Sequence, residues 1–236
     1  MSTGQSTPAS SLPKVNVSGD NFSQWNRAAP TSTLGIIHDT LLPSLQIHSG
    51  LSLLAYTAAR VSGRAEVKDW LWPSGMVLNA WWSAIGRKVY QTDLSISDAF
   101  RQLGWSEKTL LFGVTAWGLR LFYRIATRSV SRGKDDPRYE EPKKQPGFWN
   151  KALFNLFLPE AVFQSLITLP VTAPFRYPSA GPASEFAGWI RGAAVGLFSP
   201  GFAMEILADR QAAKHKDSGA RGLKTDGVWS IVRHPK

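Results

Sequence analysis

Acidic and basic side chains recur at helical spacing near the C-terminal end of this 236-residue chain. Glu205 and Asp209 are four residues apart, and Arg210 and Lys214 form a second pair at the same spacing. Residues four apart lie on one face of a helix, so this stretch presents a carboxylate row beside a basic row. The basic row could bind the phosphates of an anionic cofactor, and Asp209 could accept hydrogen bonds from its ribose or adenine.

A second group of chemically capable residues follows that helix. Trp229 offers a stacking face, Arg233 is a further cation, and His234 can exchange a proton near neutral pH. Together with the basic row, these residues predict a cofactor site. Two simpler interpretations stay open: Asp209 could hold one of the arginines in place, and the basic stretch could contact anionic lipid headgroups.

Charge and aromatic content point to a membrane rather than to nucleic acid. The net charge of +10 at pH 7 would suit either partner, but the 10 Trp and 12 Phe concentrate in apolar segments, with Lys and Arg in the connecting stretches. We therefore expect membrane lipids as partners and no nucleic acid. The absence of cysteine excludes disulfides and thiolate chemistry, and the four histidines lack metal-binding spacing, so no metal site is predicted.

The chain divides into a polar tail and one larger domain. Residues 1–32 are rich in Ser, Thr, Pro, Gly and Asn without apolar periodicity, which predicts a disordered tail. They lack the charged start and apolar core of a secretory signal. Residues 33–236 form the predicted membrane domain, incomplete at its C-terminus.

Apolar segments alternate with polar loops along that domain, which predicts an all-α, multi-pass transmembrane helical bundle of about five spans. The predicted spans are 34–59, 70–85, 109–127, 152–175 and 186–207, with a short amphipathic helix at 96–103. The first is the weakest, because His38, Asp39 and His48 either line a polar interior or meet water on an interfacial helix.

Polar side chains also interrupt the later spans. Arg120 lies inside the third, where a buried arginine costs several kcal/mol unless it is paired or reaches the interface. Glu160 and Gln164 share one face of the fourth and could line an inner cavity, although Pro159 could kink the helix there. Gly192 and Gly196 give the fifth a small-residue face suited to close packing.

Basic residues are unevenly distributed between the loops, and this predicts orientation. Loops 60–68 and 124–151 hold most of the Lys and Arg, whereas the loops on the other side hold few. Positively charged loops stay in the cytoplasm, so we expect a cytoplasmic C-terminus. The expected location is the endoplasmic reticulum or another endomembrane.

Four ordered motifs in the second half resemble those of a known family. They are W-G-x-R-L at 117–121, D-x-R-Y at 136–139, E-x-x-A-D-x-Q at 205–211 and G-x-W-x-x-x-R-H-P at 227–235. The set resembles the membrane domain family of unknown function grouped with the C-terminal domains of steroid 5-alpha reductases. Sterol reductases and isoprenylcysteine carboxyl methyltransferases are more distant relatives.

That resemblance implies a helical membrane enzyme that binds NADPH at the cytoplasmic ends of its last helices and reduces a carbon–carbon double bond in a hydrophobic small molecule. It implies that the pocket contains Glu205, Asp209, Arg233 and His234. It also implies that Arg120 faces the cavity and that Arg138 and Tyr139 lie near the cofactor. Tyr123 and Glu160 are candidate proton donors.

Alternatives to the reductase follow from the same resemblance. The methyltransferase relatives place Arg-His-Pro on S-adenosylmethionine, so a membrane methyltransferase stays open, as does a non-catalytic membrane protein. No Gly-rich dinucleotide motif or P-loop is present, which argues against a Rossmann domain. The family continues beyond Arg-His-Pro while this sequence ends one residue later, so we expect little or no activity from it.

Overall fold

The computed structural model of the protein describes residues 33–176, 185–219 and 222–231. All regular structure in these ranges is helical, which confirms the predicted all-α class. The predicted tail at 1–32 lies outside the described residues, and so do Arg233 and His234.

Two long helices open the fold, and each contains one wider π-helical turn. Helix α1 comprises Thr33–Ile36, the π segment Ile37–Leu41 and Leu42–Ser62. Helix α2 comprises Val67–Trp81, the π segment Trp82–Gly86 and Arg87–Thr92. The left-handed Gly63, with φ of 68°, ends α1 and turns the chain towards α2.

The following helices differ greatly in length. Short α3 (Ile96–Arg101) confirms the predicted amphipathic helix and precedes the 28-residue α4 (Trp105–Arg132). A 3-10 turn (Pro137–Tyr139) and α5 (Glu140–Lys143) lead into α6, which comprises Phe148–Ala152, the π segment Leu153–Phe157 and Leu158–Ile167. The described part ends with α7 (Leu169–Thr172), a 3-10 turn (Ala173–Phe175), α8 (Glu185–Asp217) and a 3-10 turn (Gly227–Ser230).

Helices α6, α1, α2 and α4 pack side by side in that order. Gly118 of the W-G-x-R-L motif permits the close α2–α4 contact, because a side chain there would come within 2.3 Å of a Val77 methyl group. Apolar packing is concentrated in two clusters of buried side chains. One contains Ala80, Ala84, Ile85, Ala99, Leu103, Leu111 and Phe175, and the other contains Ala55, Ala59, Leu71, Ala152 and Phe157.

Between these clusters the bundle interior is polar. Helices α1 and α2 and the bent pair α6–α7 turn polar side chains inward at intervals of four residues, and all of these side chains are buried. They are Thr40, Ser44, His48 and Ser52 of α1, Asn79 and Ser83 of α2, and Gln164, Thr168 and Thr172 of α6 and α7. The bundle thus has a polar interior and many exposed apolar side chains. This distribution is the reverse of that in a water-soluble bundle and suits lipid surroundings.

One helix in the described ranges, Gly188–Asp217, is long and apolar enough to cross a membrane. Phe148–Ile167 and Leu169–Phe175, which meet at 46°, would add a second if they form one broken span. The bend falls just before Pro170 and not at Pro159, through which α6 continues. Length and composition thus identify one or two spans where the sequence predicts about five, because residues such as His48 and Arg120 lower the hydropathy of the other helices.

Candidate cofactor site

Helices α4 and α8 run in the same direction and are joined by side-chain contacts. Three pairs in register join them: Gly113 with Phe198, Arg120 with Glu205, and Arg124 with Asp209. The sequence separation within each pair is the same, which only a parallel arrangement produces. The Phe198 ring lies 3.7 Å from the position that a Cβ atom of residue 113 would occupy, which is an ordinary van der Waals distance.

Asp209 is the shared acceptor of this contact. Both Arg120 and Arg124 form ion pairs with its Oδ2 atom, and Arg120 Nη1 lies 2.7 Å from Glu205 Oε1. Arg120 also lies 5.7 Å from the centre of the Phe202 ring. The arginine inside the apolar run is therefore paired with carboxylates across the helix interface. We name these four charged residues, Arg120, Arg124, Glu205 and Asp209, the α4–α8 charge cluster.

The turn after α8 folds back onto that helix through two motif residues. Val228 N donates a hydrogen bond of 3.1 Å to Gln211 Oε1. Gly227 has φ of 68°, a left-handed conformation that favours glycine, and a side chain there would displace the Gln211 amide, whose oxygen would lie 2.5 Å away. Trp229 follows, and its Nε1 atom is buried with no hydrogen-bond acceptor among the residues described.

The basic row of α8 differs from the charge cluster. Arg210 and Lys214 are exposed, and neither has a carboxylate within 4.0 Å in the described part of the chain. Lys214 lies in the last turn, where a cation also offsets the negative end of the helix dipole. This row is therefore available to a soluble anion.

The D-x-R-Y motif (136–139) contacts the start of α2. Arg138 donates hydrogen bonds to Asp136 Oδ1 (3.0 Å) and Asp69 Oδ2 (2.6 Å), and the Tyr139 hydroxyl donates to Asp69 Oδ1 (3.0 Å). Burial and the charge of Asp69 raise the pKa of Tyr139 above its usual range. Burial would raise the pKa of Asp136, but hydrogen bonds from Arg138 and Arg132 outweigh it and lower that pKa.

These ion pairs extend to buried residues at the end of α4 and at the start of α2. Glu66 accepts from Ser129 Oγ (2.8 Å), forms an ion pair with Arg132 (3.0 Å) and pairs with Arg64. Asp135 accepts hydrogen bonds from Lys143 Nζ (2.8 Å) and from the backbone of Ala65 and Glu66 at the entry to α2. Burial would raise the pKa of Asp135, but these hydrogen bonds, above all that from Lys143, outweigh it and lower that pKa. We name the whole group the helix-end cluster; it comprises Arg64, Glu66, Asp69, Arg132, Asp135, Asp136, Arg138, Tyr139 and Lys143.

Glu160 connects this end to the polar interior. Its Oε2 atom lies 2.7 Å from Lys68 Nζ, and its Oε1 atom accepts a 3.4 Å hydrogen bond from Gln164. Deeper in the bundle, Asn79 Nδ2 lies 3.3 Å from His48 Nε2 and donates to Thr168 Oγ1 at 3.1 Å. His48 is buried, whereas the side chain of His38 is 81% exposed, so only the former lies in the interior.

The structure joins some predicted site residues by direct contact and gives others different partners. Glu205, Asp209 and Arg120 meet in the α4–α8 charge cluster, with Arg210, Lys214 and Trp229 on or beside α8. Arg138 and Tyr139 instead pair with α2, and Glu160 pairs with Lys68. Tyr123 is 70% exposed.

Sequence reasoning missed two participants. Arg124, where the predicted third span and the following loop overlap, was given no partner, although its spacing from Arg120 equals that of Asp209 from Glu205, a signal that could have identified the second pair. Asp69, which binds both Arg138 and Tyr139, has no local signal, because its partners are about seventy residues away.

Comparison with known proteins identifies a family for most of the chain. Among curated proteins and among solved structures, none matches the chain significantly. The profile of DUF1295, described as a protein of unknown function, matches residues 55–236 and so includes all four motifs. The chain therefore belongs to the DUF1295 family.

Proposed function

We propose that the protein is an integral membrane oxidoreductase resembling steroid 5-alpha reductases, which uses NADPH to reduce a carbon–carbon double bond in a lipid-like substrate. The observation that carries this proposal is the division of charge on α8. Its carboxylates, Glu205 and Asp209, are paired with arginines of α4, while Arg210 and Lys214 have no carboxylate partner within the described ranges. Such a surface is complementary to a phosphate-bearing anion.

The residues of this region fit the proposed cofactor. Arg210 and Lys214 would bind phosphate oxygens through charge-assisted hydrogen bonds. The buried Trp229 Nε1–H, which lacks an acceptor in the described part of the chain, would donate to a polar group, and the indole ring offers a stacking surface. Arg233 and His234 follow in the sequence and are proposed as further members. When bound, NADPH would supply the hydride.

The α4–α8 charge cluster has a positioning role in this proposal. Two ion pairs one helical turn apart fix both the rotation and the axial position of α8 relative to α4. The neighbouring basic row then keeps a defined direction, which reduces the ordering cost of binding. Arg120 thus acts through Glu205 and Asp209.

The same charge distribution bears on the choice between the two cofactors. S-adenosylmethionine carries a sulfonium and an ammonium group and offers one carboxylate to a basic row, whereas NADPH offers three phosphates. Both acidic side chains of this face are ion-paired with arginine, and the cations beside them are exposed. This favours NADPH, while a methyltransferase of the isoprenylcysteine type and a non-catalytic membrane protein are the alternatives.

The proposal includes the membrane arrangement. Alternating helices of about five spans would place α4 and α8 in the same direction across the bilayer, as their parallel contact requires. The basic ends of α1, α4 and α8 would face the cytoplasmic side of the endoplasmic reticulum or another endomembrane. A hydrophobic substrate would then enter from the lipid phase and meet a cofactor drawn from the cytoplasm.

Direct ligand binding tests the proposal. The full chain in detergent is titrated with NADPH, NADH and S-adenosylmethionine, and binding is followed through its tryptophan fluorescence. NADPH differs from NADH by one ribose phosphate, so a basic site should bind it more tightly. A charge-assisted hydrogen bond contributes about 1.5–3 kcal/mol, which corresponds to roughly 10- to 100-fold in affinity.

Each result assigns the protein to one class. NADPH binding stronger than NADH binding supports the reductase. Binding of S-adenosylmethionine alone would assign the protein to the methyltransferase branch. Absence of binding for all three ligands would contradict both enzyme assignments and leave the basic row as a lipid contact.

A further inference from the structure

A second basic site, remote in sequence from the proposed cofactor residues, lies where α1 ends and α6 begins. Arg60, in the last turn of α1, donates from Nη1 to the Tyr56 hydroxyl (2.7 Å) and from Nη2 to Asn150 Oδ1 (3.4 Å). The Tyr56 hydroxyl in turn donates to the Trp149 carbonyl at 2.7 Å. The guanidinium is therefore held in place by neutral partners on both helices.

This arrangement differs from that of the neighbouring arginines. Arg64, Arg132 and Arg138 are each paired with a carboxylate of the helix-end cluster. Arg60 has no carboxylate within 4.0 Å in the described ranges, and three of its five N–H donors are not used by the bonds to Tyr56 and Asn150. An exposed, positioned cation of this kind favours an anionic ligand.

Two further positive features adjoin Arg60. Lys151 follows Asn150 directly; it is exposed and forms no ion pair in the part of the chain described. Helix α6 begins at Phe148, so the positive end of its dipole lies at the same place. The negative C-terminal end of α1 lies here too and offsets the start of α6, so the positive potential of the site comes from Arg60 and Lys151.

The surface beside this site is apolar. Along α1, Leu53 and Leu54 are exposed, and along α6, Phe154 and Phe163 are 67% and 61% exposed. At the charged end, Phe148 and Trp149 form an edge-to-face pair with ring centres 5.1 Å apart. The order from end to middle is thus cationic, then aromatic at the interface, then apolar with both Leu and Phe, which matches the phosphate, interface and acyl regions of a phospholipid.

We infer that Arg60 and Lys151 bind the phosphate of an anionic phospholipid whose acyl chains lie along the exposed faces of α1 and α6. Tyr56 and Asn150 position the guanidinium for this contact. The inference rests on the membrane placement proposed above but on no property of the cofactor site. It therefore holds or fails independently of NADPH binding.

Native mass spectrometry of the full chain in detergent tests this lipid site. The probes are dioleoylphosphatidylglycerol, dioleoylphosphatidylcholine and inorganic phosphate. Lys151→Gln removes a positive charge that forms no ion pair and should leave the fold intact. The second variant carries Arg60→Gln in addition to Lys151→Gln. Lys144→Gln is the matched control, because Lys144 is exposed on the same end but is paired with Glu141 at 2.5 Å.

We expect the wild-type protein to bind phosphatidylglycerol more tightly than phosphatidylcholine. Each removed cation should weaken phosphatidylglycerol binding roughly fivefold, while Lys144→Gln leaves it unchanged. Equal affinity for the two lipids, or unaltered binding by both variants, would overturn the inference. Inorganic phosphate that binds as tightly as phosphatidylglycerol would also overturn it, because the site would then hold a free anion.

Discussion

Arg124 of α4 pairs with Asp209 of α8 one helical turn beyond the pair of Arg120 and Glu205. Two cations four residues apart thus face two carboxylates four residues apart on a parallel helix. This match explains why the apolar run 109–127 of α4 carries two arginines. The basic row of α8, Arg210 and Lys214, has no carboxylate partner in the described ranges.

Asp209→Asn tests the mechanical part of this relationship. The substitution removes the charge shared by Arg120 and Arg124 and should loosen α8 from α4. Breaking a buried ion pair costs about 3–5 kcal/mol, and the partial exposure of Arg124 reduces the expected loss to about 2–3 kcal/mol. Thermal unfolding followed by circular dichroism in detergent measures it. Arg101→Gln, which removes an exposed pair with Asp98, should have almost no effect; equal losses would contradict the assignment.

Asp136→Asn should change how the stability of the fold depends on pH in the acid range. The pKa of Asp136 is lower in the folded state than its ordinary value of 3.8, so its stabilisation is complete above pH 4 to 5 and is lost as pH falls further. The variant should be less stable at neutral pH and decline less steeply below pH 4. Melting temperature measured from pH 7 to pH 2 tests this. Asp98→Asn, at an exposed position, should keep the wild-type slope.

Tyr139→Phe should change how the stability of the fold depends on pH in the alkaline range. The pKa of Tyr139 is raised above its ordinary value of 10.0, so the neutral phenol is favoured in the folded state. Its stabilisation is complete below pH 10 and is lost as pH rises further. The variant loses the hydrogen bond to Asp69, about 1 kcal/mol at neutral pH, and should lack this alkaline decline. Tyr90→Phe, at an 80% exposed position, should decline as the wild type does.

Asn79→Leu tests the polar interior. The amide donates to Thr168 and lies within hydrogen-bond distance of His48, and its loss leaves both partners buried without it. We expect a loss of about 1–3 kcal/mol. Gln46→Leu makes the same chemical change at an exposed position that lines an apolar groove, and should be neutral or stabilising. A stable Asn79→Leu protein would contradict the role of this interior.

Apolar periodicity was sufficient to predict most helices of the fold, including short α3, because the segments are long and separated by polar stretches. Spacing also predicted that Glu205 and Asp209 share a face. It could not predict what that face contacts, since Arg120 and Arg124 lie more than eighty residues earlier. For the same reason the contacts of Arg138 and Tyr139 with Asp69 could not be predicted. His48 was ambiguous because burial depends on how α1 packs against α2 and α6.

The central claim is that the unpaired cations of α8 bind a phosphate-bearing nucleotide, and binding of NADPH to an Arg210→Gln/Lys214→Gln variant tests it most directly. We predict that this variant binds NADPH at least about tenfold more weakly than the wild type, by loss of one or more charge-assisted hydrogen bonds. The matched control Lys144→Gln, which removes a cation paired with Glu141, should keep wild-type affinity. Unchanged NADPH affinity in the double variant would contradict the account.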